Sequence, residues 1–183
     1  MKLTDAFASG KFVVTSEVGP PKGVDIAEML ADAGLLRGRV DGVNVTDQQS
    51  AVMRLGSLAV CHLLKEKGLD PIFQVTCRDR NRIALQSDLL SAAALGIENV
   101  LCLTGDYVTL GDHPEARAVF DLDSVSLLQA AVQLQQGKDL AGKELKGAPQ
   151  FCLGAVVTPG MEPLEPQLIK MEKKVKAGAQ FFQ

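Results

Sequence analysis

The chain has 183 residues, of which 46% are hydrophobic and 22% are charged, and its formal net charge is -3. This composition excludes a disordered chain and predicts one globular domain over residues 1–183. A slightly acidic chain without a long run of Lys and Arg does not attract a nucleic-acid backbone, and no stretch reaches the ~18 apolar residues of a membrane span. We therefore expect a cytoplasmic protein that binds neither nucleic acid nor a membrane.

Six short apolar runs have the length and composition of buried strands. They begin at Phe12, Gly42, Ile72, Asn99, Phe151 and Ala179. Their starts lie 27 to 30 residues apart, except for one interval of 52 residues between the fourth and fifth runs. A strand, a helix and two short loops fill about 30 residues, so the spacing predicts repeated strand–helix units.

Five segments between these runs are predicted to be helices, at 25–33, 50–67, 81–95, 123–135 and 163–177. Asp25 and Ser50 are expected to cap helix starts, because their side-chain oxygens can accept hydrogen bonds from free backbone N–H groups. A glycine follows each of the five segments and is predicted to end it in the left-handed conformation: Gly34, Gly68, Gly96, Gly137 and Gly178.

This alternation predicts a parallel sheet covered by helices, which leaves a doubly wound sheet and a TIM (β/α)8 barrel as the choices. No GxGxxG follows the first strand, whereas Glu17, Thr46, Thr76 and Asp106 stand at or just after strand ends, where barrel enzymes build their sites. We therefore predict an incomplete TIM barrel of about six βα units. Because a full barrel needs about 250 residues, we expect truncation at the C-terminus and open strand edges that favour aggregation or a partner chain.

Glu17 lies in the segment TSEVGPPKG, near the end of the first predicted strand. The two prolines that follow stiffen the chain and remove backbone donors, so Glu17 is expected to point into or over the barrel mouth. A carboxyl group at this place suits a general acid that works near neutrality. The alternative is an inward carboxylate paired with a Lys or Arg of the barrel core.

Asp106 follows the fourth predicted strand in the segment TGD, where Gly105 allows a sharp turn. It is either an ionised partner for a bound cation or a turn-forming aspartate. The interval of 52 residues leaves a long loop between the fourth strand and its helix, and such loops often cover a functional site. His113 in this loop is predicted to be a surface residue.

Lys170, Lys173 and Lys174 share one face of the last predicted helix, at i, i+3, i+4 spacing. Such a face is usually solvated. The functional alternative is a site for the phosphate of a nucleotide cofactor, whose charge Lys can neutralise.

The four cysteines lie far apart, without a CxxC pair: Cys61, Cys77, Cys102 and Cys152. This spacing argues against a zinc site or an Fe-S cluster formed by the chain alone. We predict four reduced, buried thiols and no metal site.

Several motifs, taken together, resemble one enzyme family over essentially the whole chain. They are TSEVGPPKG, VNVTDQQSAVMR, VTCRDRNR, LGIENVLCLTGD, LGDHPEARAVFDLDSV and KMEKKVKAGAQFFQ. In this order and spacing they resemble methylenetetrahydrofolate reductase, in its short, single-domain bacterial form. The resemblance implies a (β/α)8 barrel that binds a flavin at the carboxyl ends of its strands. It also implies reduction of 5,10-methylenetetrahydrofolate to 5-methyltetrahydrofolate, a step of one-carbon metabolism and methionine biosynthesis.

The resemblance assigns roles to particular side chains. It implies that Glu17 is the general acid and that Asp106 lies beside the flavin ring and the pterin. It implies FAD as the cofactor, bound by Thr46, Gln74, Thr104, Gly105, Asp106, Phe120, Lys173 and Lys174. Family members have His where this chain has Gln74 and Arg where it has Thr104, and TPGMEPLEP replaces an aromatic- and His-containing segment. FMN is therefore the alternative cofactor.

The family also implies partners, with methylenetetrahydrofolate as the substrate. A small zinc and Fe-S partner subunit or a homo-oligomer is expected, and NADH, ferredoxin and a partner subunit remain open as electron donors. A folate-contacting glutamine of the family is expected two residues beyond Gln183. Two alternatives stand beside the reductase: a non-redox pterin or folate-binding barrel of a methyl-transfer system, and an inactive fragment.

Overall fold

The computed structural model describes residues 2–183, which form a sheet of six parallel strands in chain order. The strands are β1 (Thr15–Val18), β2 (Gly42–Val45), β3 (Pro71–Thr76), β4 (Asn99–Leu103), β5 (Cys152–Ala155) and β6 (Phe181–Phe182). Each pairs in parallel with the next. The sheet curls into an incomplete barrel, which confirms the predicted architecture. Within the described residues, β1 and β6 are its two edges.

Five helices connect successive strands: α2 (Ala27–Gly34), α3 (Ser57–Glu66), α4 (Arg82–Ala94), α5 (Ser124–Gln135) and α6 (Glu165–Lys176). A further helix, α1 (Leu3–Ala8), precedes β1. Two short 3-10 turns, Gln49–Ala51 and Val108–Leu110, lie in the loops after β2 and β4. None of the helices between residues 2 and 183 is both long enough and apolar enough to cross a membrane.

Two apolar clusters lie on opposite faces of the sheet, because side chains alternate along a strand. On the outer face, Val43 and Phe73 belong to the large cluster that includes the buried side chains of α3, α4 and α5. On the inner face, Ile72 and Leu101 pack with Leu3 of α1. The inner cluster begins where the strands begin and reaches Leu103 at the end of β4, whereas polar side chains lie on this face towards the carboxyl ends of β1, β2 and β3.

The predicted helix 50–67 is wrong over its first part, because α3 begins only at Ser57. Gln48, Ser50 and Ala51 instead have positive φ angles of 49°, 56° and 58°, which L residues rarely adopt. Ser50 therefore does not cap a helix. Its N–H donates to the carboxylate of Asp106, far along the chain. A contact between two loops sets the backbone here, and local sequence preference does not.

The predicted helix ends are mostly confirmed. Gly68, Gly96, Gly137 and Gly178 follow α3 to α6 and have positive φ. The prediction that Gly34 ends a helix from outside is wrong, because Gly34 is the last residue of α2.

The first strand begins at Thr15, later than the predicted start at Phe12, whose side chain is 87% exposed. The N–H of Val14 donates to the Asp41 carboxylate at 3.1 Å, and the N–H of Asp41 donates to the carbonyl of Val14 at 2.7 Å. Helix α1 was not predicted, because its 6 residues are too few to show a helical period.

All four cysteines are buried free thiols, as predicted. Burial raises the pKa of Cys77 to about 12 and that of Cys152 to about 11. The thiols are therefore protonated at neutral pH.

Candidate active site

Polar side chains occupy the inner face of the sheet at the carboxyl ends of the strands. Glu17 lies opposite Asn44 in the register of β1 and β2. Asn44 Nδ2 donates to the carbonyl of Ser16 at 3.2 Å, and Gln74 Nε2 donates to Asn44 Oδ1 at 3.4 Å. Because the side-chain N–H of Gln74 donates to Asn44, the side-chain oxygen Oε1 of Gln74 remains available to accept a hydrogen bond. An amide relay across β1, β2 and β3 therefore orients the Gln74 side chain.

Glu17 is exposed and lines a cavity of ≈ 420 Å³ beside Gly19, Pro20 and Glu28. Its strand, β1, has a single neighbour among the strands between residues 2 and 183. Over the same range, Glu17 forms no ion pair with a Lys or Arg. Glu17 thus lies one residue before the carboxyl end of β1, in a more open environment than the sequence suggested.

Thr46 follows β2 and carries a buried hydroxyl group without a hydrogen-bond partner in the described part of the chain. The residue is 3% exposed. A Cβ placed on Gly19 would lie 4.0 Å from Thr46 Oγ1, so the hydroxyl faces the loop after β1. A buried hydroxyl without a partner is destabilising, and such a group commonly marks a place where a water, an ion or a ligand binds.

A buried ion network, which was not predicted from the sequence, lies beside Thr46. The side chain of Asp47 is fully buried and contacts Arg80, with Oδ2 2.7 Å from Nη1 and Oδ1 3.1 Å from Nη2. Asp47 Oδ2 also accepts from the N–H and the hydroxyl of Thr76, at 2.8 and 2.9 Å. Arg80 continues to Asp88 in α4 at 2.9 Å. This network fastens the loop after β2 to the loop after β3.

Asp106 lies at the same end of the sheet as Glu17, three strands along the curve. Its Oδ2 accepts a hydrogen bond from the N–H of Ser50 at 3.0 Å. The guanidinium of Arg78, which is 2% exposed, donates to the backbone carbonyl of Asp106 at 3.4 Å. Asp106 therefore joins the loops after β2, β3 and β4.

Asp112 makes a second junction between loops. Its carboxylate pairs with Lys22 from the loop after β1 and accepts from the N–H of Met53 at 3.0 Å. Hydrogen bonds from Lys22, His113 and Met53, in that order of size, hold the pKa of Asp112 far below its usual value. His113 itself is exposed, as predicted. The long loop 104–123 is thereby fixed across the mouth.

The largest cavity described near the site, of ≈ 630 Å³, lies between β4 and the start of α5. Its lining combines three residues assigned by resemblance with an aromatic neighbour and polar groups: Thr104, Gly105, Tyr107, Phe120, Asp121, Leu122, Asp123 and Ser126. Tyr107 and Phe120 meet edge to face, with ring centroids 6.4 Å apart. Thr104 Oγ1 already accepts from the N–H of Ser124 at 3.1 Å. The cavity has the size and mixed lining of a small-molecule site.

The two lysines of α6 that the resemblance assigns to the cofactor differ in their surroundings. Lys174 Nζ donates to the carbonyl of Val156, just after β5, at 2.6 Å. Burial lowers the pKa of Lys174, and the nearby Lys170 adds to this effect. Lys173 is exposed. Only Lys174 is therefore directed at the carboxyl end of the sheet by a contact.

The family model described as methylenetetrahydrofolate reductase matches residues 2–183 of this chain. The chain belongs to the methylenetetrahydrofolate reductase family. This match confirms the resemblance that the sequence motifs carry. No curated protein matches the sequence significantly.

Solved structures with a similar fold are distant in sequence. A 2,3-dimethylmalate lyase of the PEP mutase/isocitrate lyase superfamily is 14% identical, with a TM-score of 0.62 over 98% of this chain and 61% of its own. An uncharacterized protein from Clostridium thermocellum that binds two copies of 5-methyl-5,6,7,8-tetrahydrofolic acid is 14% identical, with a TM-score of 0.61 over 98% of this chain and 57% of its own. A phosphonopyruvate hydrolase is 15% identical, with a TM-score of 0.63 over 100% of this chain and 62% of its own.

At this identity the comparison concerns the fold alone. The methylenetetrahydrofolate reductase family chain spans between 57% and 62% of the length of these three solved structures.

The structure does not bring all the predicted site residues of this methylenetetrahydrofolate reductase family member together: Asp106 contacts Ser50, and Lys173 and Lys174 lie on α6. One cavity collects Thr104, Gly105 and Phe120, while Glu17 lines another. Gln74 and Thr46 lie between them on β3 and after β2. Sequence reasoning missed Asn44, Asp47, Arg78 and Arg80, although they stand in the quoted motifs VNVTDQQ and VTCRDRNR. The available signal was polar residues at or directly after the ends of parallel strands.

Proposed function

We propose that this protein carries out the flavin-dependent reduction of 5,10-methylenetetrahydrofolate to 5-methyltetrahydrofolate. The observation that carries the proposal is the family match over residues 2–183. It is supported by the position of Glu17, Thr46, Gln74 and Asp106 at one end of the sheet, where barrel enzymes bind substrates. The folate ligand of the Clostridium thermocellum protein with the same fold also supports a folate substrate.

Glu17 is the proposed general acid. Ring opening of methylenetetrahydrofolate requires a proton on the nitrogen that leaves, and it generates a cationic iminium on the folate. Glu17 is exposed on the inner face and forms no ion pair within residues 2–183, so its carboxyl group is accessible to a ligand at the mouth.

Asp106 is the proposed charge partner of the cationic folate. A carboxylate ~4 Å from a cation stabilises it by about 4 kcal/mol at an effective dielectric of about 20, before desolvation is subtracted. The N–H of Ser50 occupies one oxygen of Asp106, which leaves the other oxygen for the ligand. Glu17 and Asp106 would thus act in opposite protonation states.

The described side chains fit a flavin in part. Thr46 offers a buried hydroxyl without a partner, and Gln74 offers a carbonyl oxygen whose direction the amide relay fixes. Phe120 and Tyr107 give the ≈ 630 Å³ cavity an aromatic wall. A bound flavin would supply the hydride. FAD is the proposed form and FMN the alternative, since of the two lysines assigned to the cofactor only Lys174 is held near the strand ends.

A second candidate function is a folate- or pterin-binding barrel without redox chemistry. The observation that favours it is the open environment of Glu17, because a general acid usually lies in a site closed to water. An inactive fragment is the third candidate. Partner subunits, the electron donor and the cytoplasmic location stay predictions.

The decisive experiment is Glu17→Gln in the complete flavin-loaded protein, with Glu28→Gln from the rim of the same cavity as the matched control. We expect Glu17→Gln to keep the flavin spectrum and to lose about 100-fold or more of folate turnover, the usual scale for a lost general acid. Glu28→Gln should keep both.

Two results would refute parts of the proposal. Unchanged turnover in Glu17→Gln would remove the assignment of the general acid. A colourless wild-type protein that still binds 5-methyltetrahydrofolate would establish the non-redox alternative.

A further inference from the structure

Arg78 is a deeply buried charged side chain around the mouth of the barrel, with an exposure of 2%. Its Nε and Nη2 donate to the two carboxylate oxygens of the neighbouring Asp79, at 2.8 and 2.7 Å. Nη2 also donates to the carbonyl of Gln48 at 3.2 Å, and Nη1 to the carbonyl of Asp106 at 3.4 Å. One guanidinium group therefore touches the loops after β2, β3 and β4.

The two carbonyl groups that Arg78 contacts belong to two loops, and a hydrogen bond between Ser50 and Asp106 connects the same loops. Gln48 begins the turn whose Ser50 N–H donates to Asp106 Oδ2, and Asp106 accepts from Arg78 through its own carbonyl. The turn has positive φ at Gln48, Ser50 and Ala51. Such backbone conformations persist only where the surroundings hold them. Arg78 is placed to hold this turn against Asp106.

The backbone around Arg78 makes the same connection. The carbonyl of Arg78 accepts from the N–H of Val119 at 2.7 Å, next to Phe120. Gly105 has φ +100, and a Cβ there would lie 3.0 Å from Arg78 Cβ. The loop after β4 thus passes closely over Arg78 at its start and returns to it at its end.

We propose that Arg78 is a positioning residue that fixes the Asp106 carboxylate at the mouth of the barrel through the Gln48–Ala51 turn. Asp79 neutralises the guanidinium, so Arg78 contributes little net charge to the site. It acts through the several hydrogen bonds that its planar guanidinium donates, which we call the fork. The catalytic consequence rests on the proposed function, whereas the positioning itself does not.

The first test needs no flavin. In the flavin-free protein with Arg78→Met, we expect backbone N–H groups of the 48–54 peptide to exchange with deuterium about tenfold faster, because loss of the fork frees the turn. Arg82→Met is the matched control. Arg82 also donates two hydrogen bonds to one carboxylate, that of Asp121, and so joins the start of α4 to the loop after β4. It contacts neither Gln48 nor Asp106. It should leave exchange of the 48–54 peptide unchanged.

The second test is a double-mutant cycle on the midpoint potential of the flavin in the complete protein. Arg78→Met should shift the potential in the same direction as Asp106→Asn, and the double variant should shift it no further than Asp106→Asn alone. Arg78→Lys, which keeps the charge but not the fork, should behave as Arg78→Met and replaces it if that variant does not fold.

Unchanged exchange of the 48–54 peptide, or fully additive shifts in the cycle, would overturn the proposal. A wild-type protein that holds no flavin would refute the proposed function alone, because the exchange measurement would still decide the role of Arg78.

Discussion

The loops after β2, β3 and β4 are held in a different way from β1 and α6, which lie near the two edges of the sheet. In the loops, Asp47, Arg78 and Asp106 connect three segments through buried or shared hydrogen bonds. At the edges, Glu17 is exposed and α6 has no buried residue. Asp106 is exposed as well, but it accepts a hydrogen bond from a neighbouring loop, so the proposed charge partner lies in a preorganised part of the molecule and the proposed general acid lies in an open part.

One half of the candidate site is therefore held in place by hydrogen bonds within the described chain. Preorganised groups need little rearrangement when a ligand binds. An exposed carboxyl group on an edge strand depends for its environment on whatever lies over it. We therefore expect substitutions in the loop network to cost stability and substitutions around Glu17 to cost mainly function.

The largest effect on stability is expected from Asp47→Ala. The variant leaves Arg80 and Thr76 without their shared partner, and breaking a buried ion pair from one side typically costs about 3–5 kcal/mol. Urea denaturation would measure the loss. Glu172→Gln in the exposed Glu172–Lys176 pair of α6 is the control and should leave the free energy of unfolding unchanged. Equal effects of the two variants would contradict the contrast between the regions.

Gly105→Ala should have the next largest effect. It adds both strain at φ +100 and contacts of 3.0 and 3.3 Å with Arg78 Cβ and Thr76 Cβ, which together should cost about 2–3 kcal/mol. Gly147→Ala is the matched control, since Gly147 has φ +93 and nothing within 4 Å of an added Cβ. It should show only the strain, about 1 kcal/mol. If denaturation gives the same loss for both, the close passage over Arg78 is not energetically important.

Thr46→Val should have a smaller effect of opposite sign. Valine has nearly the same shape and removes a buried hydroxyl that lacks a partner, so the ligand-free protein should gain about 1 kcal/mol. The same variant should bind flavin more weakly than the wild type, if the hydroxyl serves the ligand. Denaturation without ligand and fluorescence titration with FAD and FMN would separate the two effects. A destabilised ligand-free variant would show that the hydroxyl has a partner in solution.

The last prediction concerns alkaline pH. Burial raises the pKa of Cys77 from 9.0 to about 12, so the unfolded chain loses this thiol proton at a lower pH than the folded protein. The stabilisation by the protonated thiol is complete below pH 9 and is lost as the pH rises through the folded pKa of about 12. Between these values the free energy of unfolding should fall less steeply with pH in Cys77→Ala than in the wild type. Parallel slopes would contradict the prediction.

Much of the fold could be predicted because it depends on local pattern. The apolar runs and their spacing predicted six strands in order, since successive βα units place their strands side by side. Asn81 and Asp123 cap α4 and α5 by accepting from backbone N–H groups within the next three residues. Such contacts form within a few residues of the chain.

The candidate site was predictable only in part. The segment TSEVGPPKG pointed to Glu17, and the resemblance pointed to Gln74 and to Thr104, Gly105 and Phe120, which share a cavity. Arg78 stands shortly after the end of β3, but its burial could not be predicted, because an arginine at such a position is usually exposed. Its burial results from loops that meet only in the folded chain.

The number and order of the strands, most of the helix ends and the family could be predicted from the sequence alone. These features follow from periodicity, glycine positions and motifs, all of which act over short stretches of chain. The left-handed turn of segment 48–51 and its connection to Asp106 through Arg78 could be seen only in the tertiary structure. Those contacts connect residues that lie 28 to 56 positions apart in the chain. The tertiary structure also decided that the Thr46 hydroxyl has no partner among the described residues while the Asp47 carboxylate beside it is fully paired.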